Sequence, residues 1–266
     1  MSTQAAPEEL ADFITRYDRM VTDPWLQDYF GQTGFYNVGY WDADTRDQAS
    51  ACRTLVRKLV ARLPDMPRKV LDAGCGTGGT TAELAAHFGA GAMTGINLSP
   101  AQVEACRARL PQSRFEVMDA ARITFPEATF DAVFCIEAAF HFRTRMAFLT
   151  EAFRLLRPGG WLVAADITLS RADLLGGWMI PPDNLLDDPD AYTTLWQQAG
   201  FPTPQVEDVT AHTWRRFCCN IASTWQSQAD RSEVDPELAR QTIAHFRRLE
   251  AEGIDRYLLV SARKPG

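Results

Sequence analysis

The stretch from Val70 to Gly79 constrains the possible folds of this chain more than any other part of its sequence. A short apolar run ends in Asp72 and opens directly into a glycine-rich turn, and the residues from Thr80 to Phe88 then have the spacing of a helix. A strand, a glycine turn and a helix in this order are typical of the unit that holds a nucleotide-like ligand. Glycine permits a tight bend and a close approach of the backbone to the ligand, and the start of the helix offers unpaired N–H groups.

The glycine spacing alone leaves the class of ligand open. Gly74, Gly76 and Gly79 follow the G-x-G-x-x-G pattern of dinucleotide sites, which is a weak signal without its context. Asp72 argues against a nicotinamide cofactor, because a dinucleotide strand usually keeps an apolar residue at this position before the first glycine. A dinucleotide site also requires an acidic residue about 20 residues further on, whereas the next expected strand is followed by Asn97. An NAD-dependent oxidoreductase is therefore the less favoured alternative.

From Arg68 onward, apolar segments with the pattern of strands alternate with amphipathic segments with the pattern of helices. This alternation predicts an α/β fold in which helices cover both faces of a mostly parallel sheet. Pro158-Gly159-Gly160 is expected to end a helix and turn into the next strand. The expected strands are Lys69–Asp72, Ala92–Ile96, Arg114–Val117, Ala132–Ile136, Trp161–Ile167, Gln205–Val209 and Arg256–Ala262, and the expected helices are Thr80–Phe88, Pro100–Leu110, Arg145–Leu156, Ala191–Ala199, Thr213–Gln228 and Pro236–Glu252.

Residues 1–65 precede this alternation and are expected to form a helical cap on a main domain of residues 66–266. Within the main domain, the segments 168–190 and 211–253 are expected to be inserts on the substrate side. The stretch from Trp25 to Trp41 is rich in aromatic residues and is interrupted by three glycines. It suits a mobile lid over an apolar pocket, or a layer of rings that packs the cap onto the core, and the sequence leaves both interpretations open.

The charge and composition of the chain argue against several classes of partner. A net charge of −7 over 266 residues disfavours nucleic acid or an anionic membrane as the main partner. The N-terminal sequence MSTQAAPEEL lacks the pattern of a signal peptide, and no apolar stretch approaches the roughly 20 residues that span a bilayer. The six cysteines form no C-x-x-C pair and accompany no histidine cluster, so we expect reduced thiols, a cytoplasmic protein and no bound metal. The oligomeric state stays open, a homodimer included.

Five motifs follow one another along residues 68–170, and together they resemble a known family. They are VLDAGCGTG, GINLSPAQ, VMDA, FDAVFCIEAAFHF and LLRPGGWLV. In this order they resemble class I S-adenosylmethionine (SAM) methyltransferases, in particular the small-molecule branch related to quinone-biosynthesis enzymes and to sugar and polyketide O-methyltransferases. The N-terminal FYNVGYWD resembles the lid of that branch. The resemblance implies a Rossmann-like, doubly wound, seven-stranded sheet whose last strand is antiparallel and follows two inserted helices.

The resemblance also implies SAM as the cofactor, with S-adenosylhomocysteine as its product. In the family, the glycine turn packs against the methionyl part of SAM, and the residue that ends the second strand holds the ribose hydroxyls. This residue is usually acidic but is Asn97 here, and an amide still makes two hydrogen bonds. A backbone carbonyl at the end of the fourth strand meets the ammonium group. The expected cofactor residues are Tyr17, Asp72, Gly74, Cys75, Gly76, Gly78, Asn97, Leu98, Gln102, Asp119, Ala120, Ile136 and Glu137.

Asp119 has an alternative interpretation, and the positions of Cys75 and Glu137 indicate their roles. Asp119 follows the third strand and is expected to accept a hydrogen bond from the adenine amino group, but it is also placed to cap the segment that begins at Ala120. Cys75 is expected to be a small residue that fills the turn and not a nucleophile. Glu137 stands at the carboxyl end of a strand, where open α/β sheets bind ligands.

Methyl transfer requires that the acceptor atom, the methyl carbon and the sulfur be aligned and that water be excluded. A hydroxyl acceptor also benefits from a base, and histidine is the usual choice. Of the four histidines, His141 lies just past the fourth expected strand, where related O-methyltransferases carry a histidine. Asp166, at the end of the fifth strand, is expected to orient His141 or to hold the acceptor, and a role as a loop or cap residue stays open.

The segments expected above the sheet edge are rich in aromatic residues, which suggests a flat or hydrophobic acceptor such as a polyketide or a phenol. The expected pocket residues are Tyr36, Trp41, Phe140, Phe142, Trp178, Trp214 and Phe217, although individual rings can equally pack the insert onto the core. The sequence therefore favours a SAM-dependent methyltransferase that acts on an oxygen of a secondary metabolite. The alternatives are an N- or C-methyltransferase, and a SAM-binding cyclase or partner protein that does not methylate.

Overall fold

A computed structural model describes residues 7–175, 180–186 and 188–266 of the chain. The strands in these residues are β1 (Val70–Ala73), β2 (Met93–Asn97), β3 (Arg114–Val117), β4 (Phe130–Ile136), β5 (Leu156–Thr168), β6 (Gln205–Asp208) and β7 (Arg256–Arg263). They form one seven-stranded sheet in the order β3-β2-β1-β4-β5-β7-β6. The strands β1 to β5 pair in parallel, and β7 runs antiparallel to both of its neighbours. The predicted α/β class, the mostly parallel sheet and its antiparallel last strand are confirmed.

The helices follow the local signals of the sequence. Asp47, Ser99 and Asp235 each accept a backbone N–H at a helix start, which satisfies a donor that has no partner within the helix. Where the strands alternate with helices, each helix returns the chain for the next parallel strand. The helices in the described residues are α1 (Pro7–Val21), α2 (Pro24–Tyr29), α3 (Gln48–Val60), α4 (Gly79–Phe88), α5 (Pro100–Arg109), α6 (Arg145–Leu155), α7 (Pro189–Gln198), α8 (Trp214–Asp230) and α9 (Pro236–Glu252).

Both faces of the sheet are buried, as expected for a parallel sheet covered by helices. Successive residues of β4 point to opposite faces, so that Phe134 packs into one core cluster while Val133 and Cys135 pack into the other. The cluster on the Phe134 face also contains Phe35 and Val38 from the segment between α2 and α3. The N-terminal segment therefore shares a hydrophobic core with the sheet.

Two expectations about local structure are corrected. The strand β5 begins at Leu156 directly after α6, so Pro158-Gly159-Gly160 lies inside the strand and not in a turn before it. The reason is a bulge in the ladder with β4, where Phe130 pairs with Leu156 and Ala132 with Trp161, and Gly159 in the bulge has a φ of +80°. In addition, the aromatic stretch that begins at Trp25 is helical in α2 and becomes irregular only from Phe30. Within the described ranges, none of the helices is both long enough and apolar enough to cross a membrane.

Candidate active site

A cavity of about 910 Å³, measured out to its open mouth, lies at the carboxyl ends of β1, β2 and β4. The cavity is concave and is lined by apolar groups with a few polar ones, as small-molecule sites are, and its place is where open α/β sheets bind ligands. The segment between α2 and α3, residues 30–47, forms part of the wall and is called the lid segment below. Most of the expected cofactor residues line this cavity, namely Tyr17, Gly74, Cys75, Gly76, Asn97, Leu98, Gln102, Ala120, Ile136 and Glu137.

The glycine turn after β1 forms the floor of the cavity. The backbone N–H groups of Gly74 and Cys75 both donate to the carbonyl of Ile96, at 2.9 and 3.1 Å, which fixes the turn to the end of β2. Gly76 has a φ of +53°, and a Cβ on it would meet no atom within 4 Å, because it would project into open space. The turn therefore presents bare backbone to a ligand.

The third glycine of the dinucleotide-like pattern has a different role in the structure. A Cβ on Gly79 would lie 2.4 Å from the carbonyl carbon of Gly34 in the lid segment. The hydroxyl of Thr77 donates to the carbonyl of Gly34 at 3.0 Å, so the lid segment is docked directly on the glycine turn. Gly79 is explained by this close approach of two backbones, and not by a dinucleotide.

The three remaining expected cofactor residues lie beside the cavity and not in its wall. Asp72 is buried below the turn, where its carboxylate accepts the hydroxyl of Thr81 at 2.6 Å, and burial raises its pKa to about 6. Gly78 precedes α4 with a φ of +87°. The carboxylate of Asp119 accepts the backbone N–H of Ala121 at 2.8 Å in a turn that no helix follows in the described stretch before β4, so the expected cap of a helix is not observed.

The β2 end of the cavity combines polar and apolar groups. The side-chain oxygen of Asn97 accepts the backbone N–H of Ser99 at 2.9 Å, and its amide nitrogen donates to Gln102 at 3.2 Å. Asp18 of α1 accepts from the hydroxyl of Ser99 and from the amide of Gln102, at 2.7 and 2.8 Å. The sequence analysis missed Asp18, which ties the N-terminal helix to this end of the site.

His141 lies in the cavity wall, in a short 3-10 turn after β4. Only 6% of the residue is exposed, and its Nε2 is 3.2 Å from the hydroxyl oxygen of Tyr17. The ring packs against Phe13 and Phe140, with centroids 5.5 and 4.1 Å away. Burial, and then the charge of Glu137, raise the pKa of Tyr17 above its ordinary value, so that its hydroxyl keeps its proton. The pair brings an imidazole and a neutral phenol to the same wall.

Glu137 connects the lid segment to the sheet. Its backbone has a φ of +54°, which turns the side chain at the end of β4, and its carboxylate accepts the backbone N–H of Val38 at 2.9 Å. The same carboxylate accepts the hydroxyl of Tyr257 from β7 at 2.6 Å. Removal from water raises the pKa of Glu137 to about 7, although both hydrogen bonds act to lower it.

The expected role of Asp166 beside His141 is not what the structure shows. Its carboxylate is fully buried and forms an ion pair with Arg145 at 2.8 Å. It also accepts the hydroxyl of Tyr192 at 3.0 Å. The reason is electrostatic, because a carboxylate in the core requires a charged partner and hydrogen bonds to both oxygens. Arg145 supplies the charge and one hydrogen bond, and Tyr192 and the backbone N–H of Ile167 supply the others.

Comparison with known proteins shows the family of this chain. A family model described as a methyltransferase domain matches residues 70–160. The chain is 32% identical over 216 residues to the O-methyltransferase cnsE of Penicillium expansum, and the match covers 76% of each chain. The chain belongs to the SAM-dependent methyltransferases.

Two further similarities extend over nearly the whole methyltransferase. The 27-O-demethylrifamycin SV methyltransferase of Amycolatopsis mediterranei (strain S699) is 29% identical over 290 residues, which is 99% of each chain. Among solved structures, the [4+2]-cyclase SpnF superposes with a TM-score of 0.69 at 24% identity, over 97% of this chain and 94% of that chain. The likeness to the cyclase concerns the fold.

SAM is thus the cofactor of this methyltransferase, and the cavity suits it. The bare backbone at Gly76 leaves room for a ligand. The side-chain amide of Asn37 lies in the wall. Neither its nitrogen nor its oxygen has a hydrogen-bond partner among the described residues. The sequence analysis did not single out Asn37, although it lies within the lid motif FYNVGYWD.

The aromatic residues expected in the acceptor pocket divide into two groups. Tyr36 and Phe142 line the cavity, and the hydroxyl of Tyr36 donates to the carbonyl of Val21 at 2.5 Å. The other described rings do not line it. Trp41 donates to the carbonyl of Val38, Phe140 packs on His141, and Trp214 and Phe217 of α8 pack against α9. Packing against the core thus accounts for most of them, as the sequence analysis allowed. Trp178 lies outside the described residues.

The sequence analysis also missed Asn184, which lies in a loop without a recognisable motif. Its side-chain nitrogen donates to the carbonyls of Phe140 and Phe142, at 3.0 and 2.8 Å, and these residues flank His141. Its side-chain oxygen accepts the backbone N–H of Arg145 at 2.7 Å. Only the tertiary structure shows this role, since neither the spacing nor the type of the residue indicates it.

Proposed function

We propose that this methyltransferase transfers the methyl group of SAM to a hydroxyl oxygen of a small natural-product scaffold, with His141 as the general base. The names of the two relatives support an oxygen acceptor, since one is an O-methyltransferase and the other a 27-O-demethylrifamycin SV methyltransferase. Tyr36 and Phe142, at the same wall as His141, are suited to a flat or apolar acceptor.

One observation carries the proposal: a buried imidazole faces the cavity with Nε2 next to a phenol that keeps its proton. Bound SAM supplies a methyl group on a positively charged sulfur. The hydroxyl of Tyr17, when it donates to Nε2 of His141, favours the tautomer in which this nitrogen is an acceptor. An acceptor hydroxyl that replaces Tyr17 at this nitrogen then loses its proton to the imidazole as the oxygen attacks.

The proposed arrangement of SAM follows the order of the strands. Its adenosine part lies at the ends of β2 and β3, near Asn97, Leu98 and Ala120, which line the cavity there. Its methionyl part lies over the glycine turn and towards Glu137 at the end of β4. This arrangement directs the methyl group to the part of the wall that carries Tyr17 and His141.

The test is His141→Ala, assayed with SAM and with candidate hydroxylated scaffolds. A general base contributes about 100- to 10,000-fold to the rate, so kcat should fall within that range while the Kd for SAM stays within about twofold. His245→Ala is the control, because His245 is exposed on α9 and should leave both values unchanged. Wild-type turnover in His141→Ala would refute the base and favour a nitrogen acceptor, and bound SAM that no scaffold consumes would favour a protein that does not methylate.

A further inference from the structure

The side chain of Asn37 is buried without a partner. The residue is 4% exposed, and within the described part of the chain neither its Nδ2 nor its Oδ1 has a hydrogen-bond partner. Buried amide groups almost always have partners, because an unmatched donor or acceptor carries a full desolvation penalty. Since Asn37 lines the cavity, a ligand in the cavity can supply the missing partners.

The backbone on both sides holds this amide in place. The carbonyl of Asn37 accepts the side-chain nitrogen of Gln48 at 2.9 Å and the thiol of Cys52 at 3.2 Å, both from α3. The next residue, Val38, donates its N–H to the carboxylate of Glu137. The backbone at Asn37 is therefore held against α3 and Glu137, and its buried amide lies in the cavity wall.

The contact with Glu137 also tells which end of the cavity Asn37 faces. Glu137 follows β4, Asn97 ends β2, and β1 lies between these two strands. Neighbouring strands are about 4.8 Å apart, so the ends of β2 and β4 are roughly 10 Å apart, and the bond of Val38 to Glu137 places Asn37 on the β4 side. In the proposed arrangement of SAM, this is the place of the amino-acid end.

We propose that Asn37 binds the amino-acid end of SAM, donating from Nδ2 to the carboxylate and accepting from the ammonium at Oδ1. This inference rests on SAM as cofactor and on the arrangement proposed above. A side-chain amide is the group that offers a donor and an acceptor at once, as a zwitterion requires. The carboxylate of Glu137 beside it favours the ammonium, and the neutral amide adds no charge of its own.

The test compares two ligands that differ only in the amino-acid end. S-adenosylhomocysteine carries it, whereas 5′-methylthioadenosine has the same nucleoside and sulfur without it. Hydrogen bonds to charged groups correspond to about 10- to 100-fold in affinity. Asn37→Ala should weaken S-adenosylhomocysteine by about that factor and leave 5′-methylthioadenosine within about twofold, as measured by calorimetry. Asn37→Asp, which replaces the donor by a second acceptor without a change of shape, should weaken S-adenosylhomocysteine at least as much.

A second readout separates binding from folding. Because the amide has no partner among the described residues, Asn37→Ala should not lower the Tm of the protein measured without ligand, but it should reduce the rise in Tm caused by S-adenosylhomocysteine. Asn220→Ala is the control, since this amide on α8 contacts Tyr29 away from the cavity. Equal weakening of both ligands would overturn the proposal, and so would unchanged binding with a raised KM for the acceptor. No acceptor is needed for the binding test, so its outcome is independent of the His141→Ala experiment.

Discussion

Glu137 shows how one residue can serve the lid and the cofactor together. Its carboxylate is withdrawn from water, and the groups that contact it in the described residues, Val38 N–H and the Tyr257 hydroxyl, are both neutral. A carboxylate without a cation is costly to desolvate, which explains its raised pKa. SAM brings a sulfonium and an ammonium, and both should stabilise the ionised form.

This argument predicts that SAM binding depends on pH through Glu137. The pKa of about 7 means that the carboxylate is mostly protonated at pH 6 and mostly ionised at pH 8. If the cation prefers the ionised form, the Kd for SAM should be about tenfold higher at pH 6 than at pH 8, and binding near pH 7 should release a proton. Calorimetry in buffers of different ionisation enthalpy measures both effects. Glu137→Gln should abolish them, and a Kd that is equal at the two pH values would contradict the prediction.

The short turn that carries His141 is held by elements on both sides. Asn184 binds the carbonyls of Phe140 and Phe142, and Arg145 at the start of α6 binds Asp166, the carbonyl of Ile167 and the carbonyl of Asn184. These groups are buried and mutually satisfied, so the turn, the loop 180–186 and the end of β5 form one rigid unit. Asp166 thus supports the turn indirectly, because it binds Arg145 at the start of α6.

The predicted consequence is that Asn184→Ala displaces His141 without touching the cofactor. A misplacement of about 1 Å can lower a rate about 100-fold, so kcat should fall by about 10- to 100-fold while the Kd for SAM changes less than about threefold. The pH dependence of kcat should shift as well, because the surroundings of the imidazole change. Gln241→Ala, on the exposed side of α9, provides a matched amide deletion. A variant that loses stability but keeps the wild-type kcat and pH profile would show that Asn184 only supports the fold.

Two buried carboxyl groups, Asp72 below the glycine turn and Glu137 in the cavity wall, make the stability of the whole ligand-free molecule depend on pH. Asp72 and Glu137 have pKa values raised by burial, to about 6 and about 7. The folded state therefore holds their protons more tightly than the unfolded chain does. The stability that this contributes is complete below the ordinary pKa of each group and is lost as the pH rises through the folded value.

The effect is isolated by comparing Glu137→Gln with the wild type. Between its ordinary pKa of 4.5 and the folded value of about 7, the free energy of unfolding of the variant should rise relative to that of the wild type. The rise should be at most about 3 kcal/mol, since one pKa unit corresponds to about 1.4 kcal/mol. Urea unfolding of the ligand-free proteins at pH 4.5, 6 and 8 measures this difference. A difference that is constant or falls with pH would contradict the raised pKa.

The sequence alone predicted the fold well. From β1 onward, both ends of each expected helix and strand lie within two residues of the observed ends, except for the start of β5. Hydrophobic periodicity is a local property of the chain, so it predicts where most elements begin and end. The start of β5 instead depends on a bulge formed with β4. The cavity likewise formed where the glycine turn and the strand ends predicted it.

The sequence by itself determined the order of the elements and the place of the cavity, because apolar spacing and glycine positions act over a few neighbouring residues. Only the tertiary structure decided what the polar side chains of the site do. Glu137 finds its partners 99 and 120 residues away along the chain, in Val38 and Tyr257. Asp166 finds Arg145, and Asn37 finds no partner among the described residues. The role of a buried polar group depends on the groups packed around it, and those come together only when distant segments fold onto the same edge of the sheet.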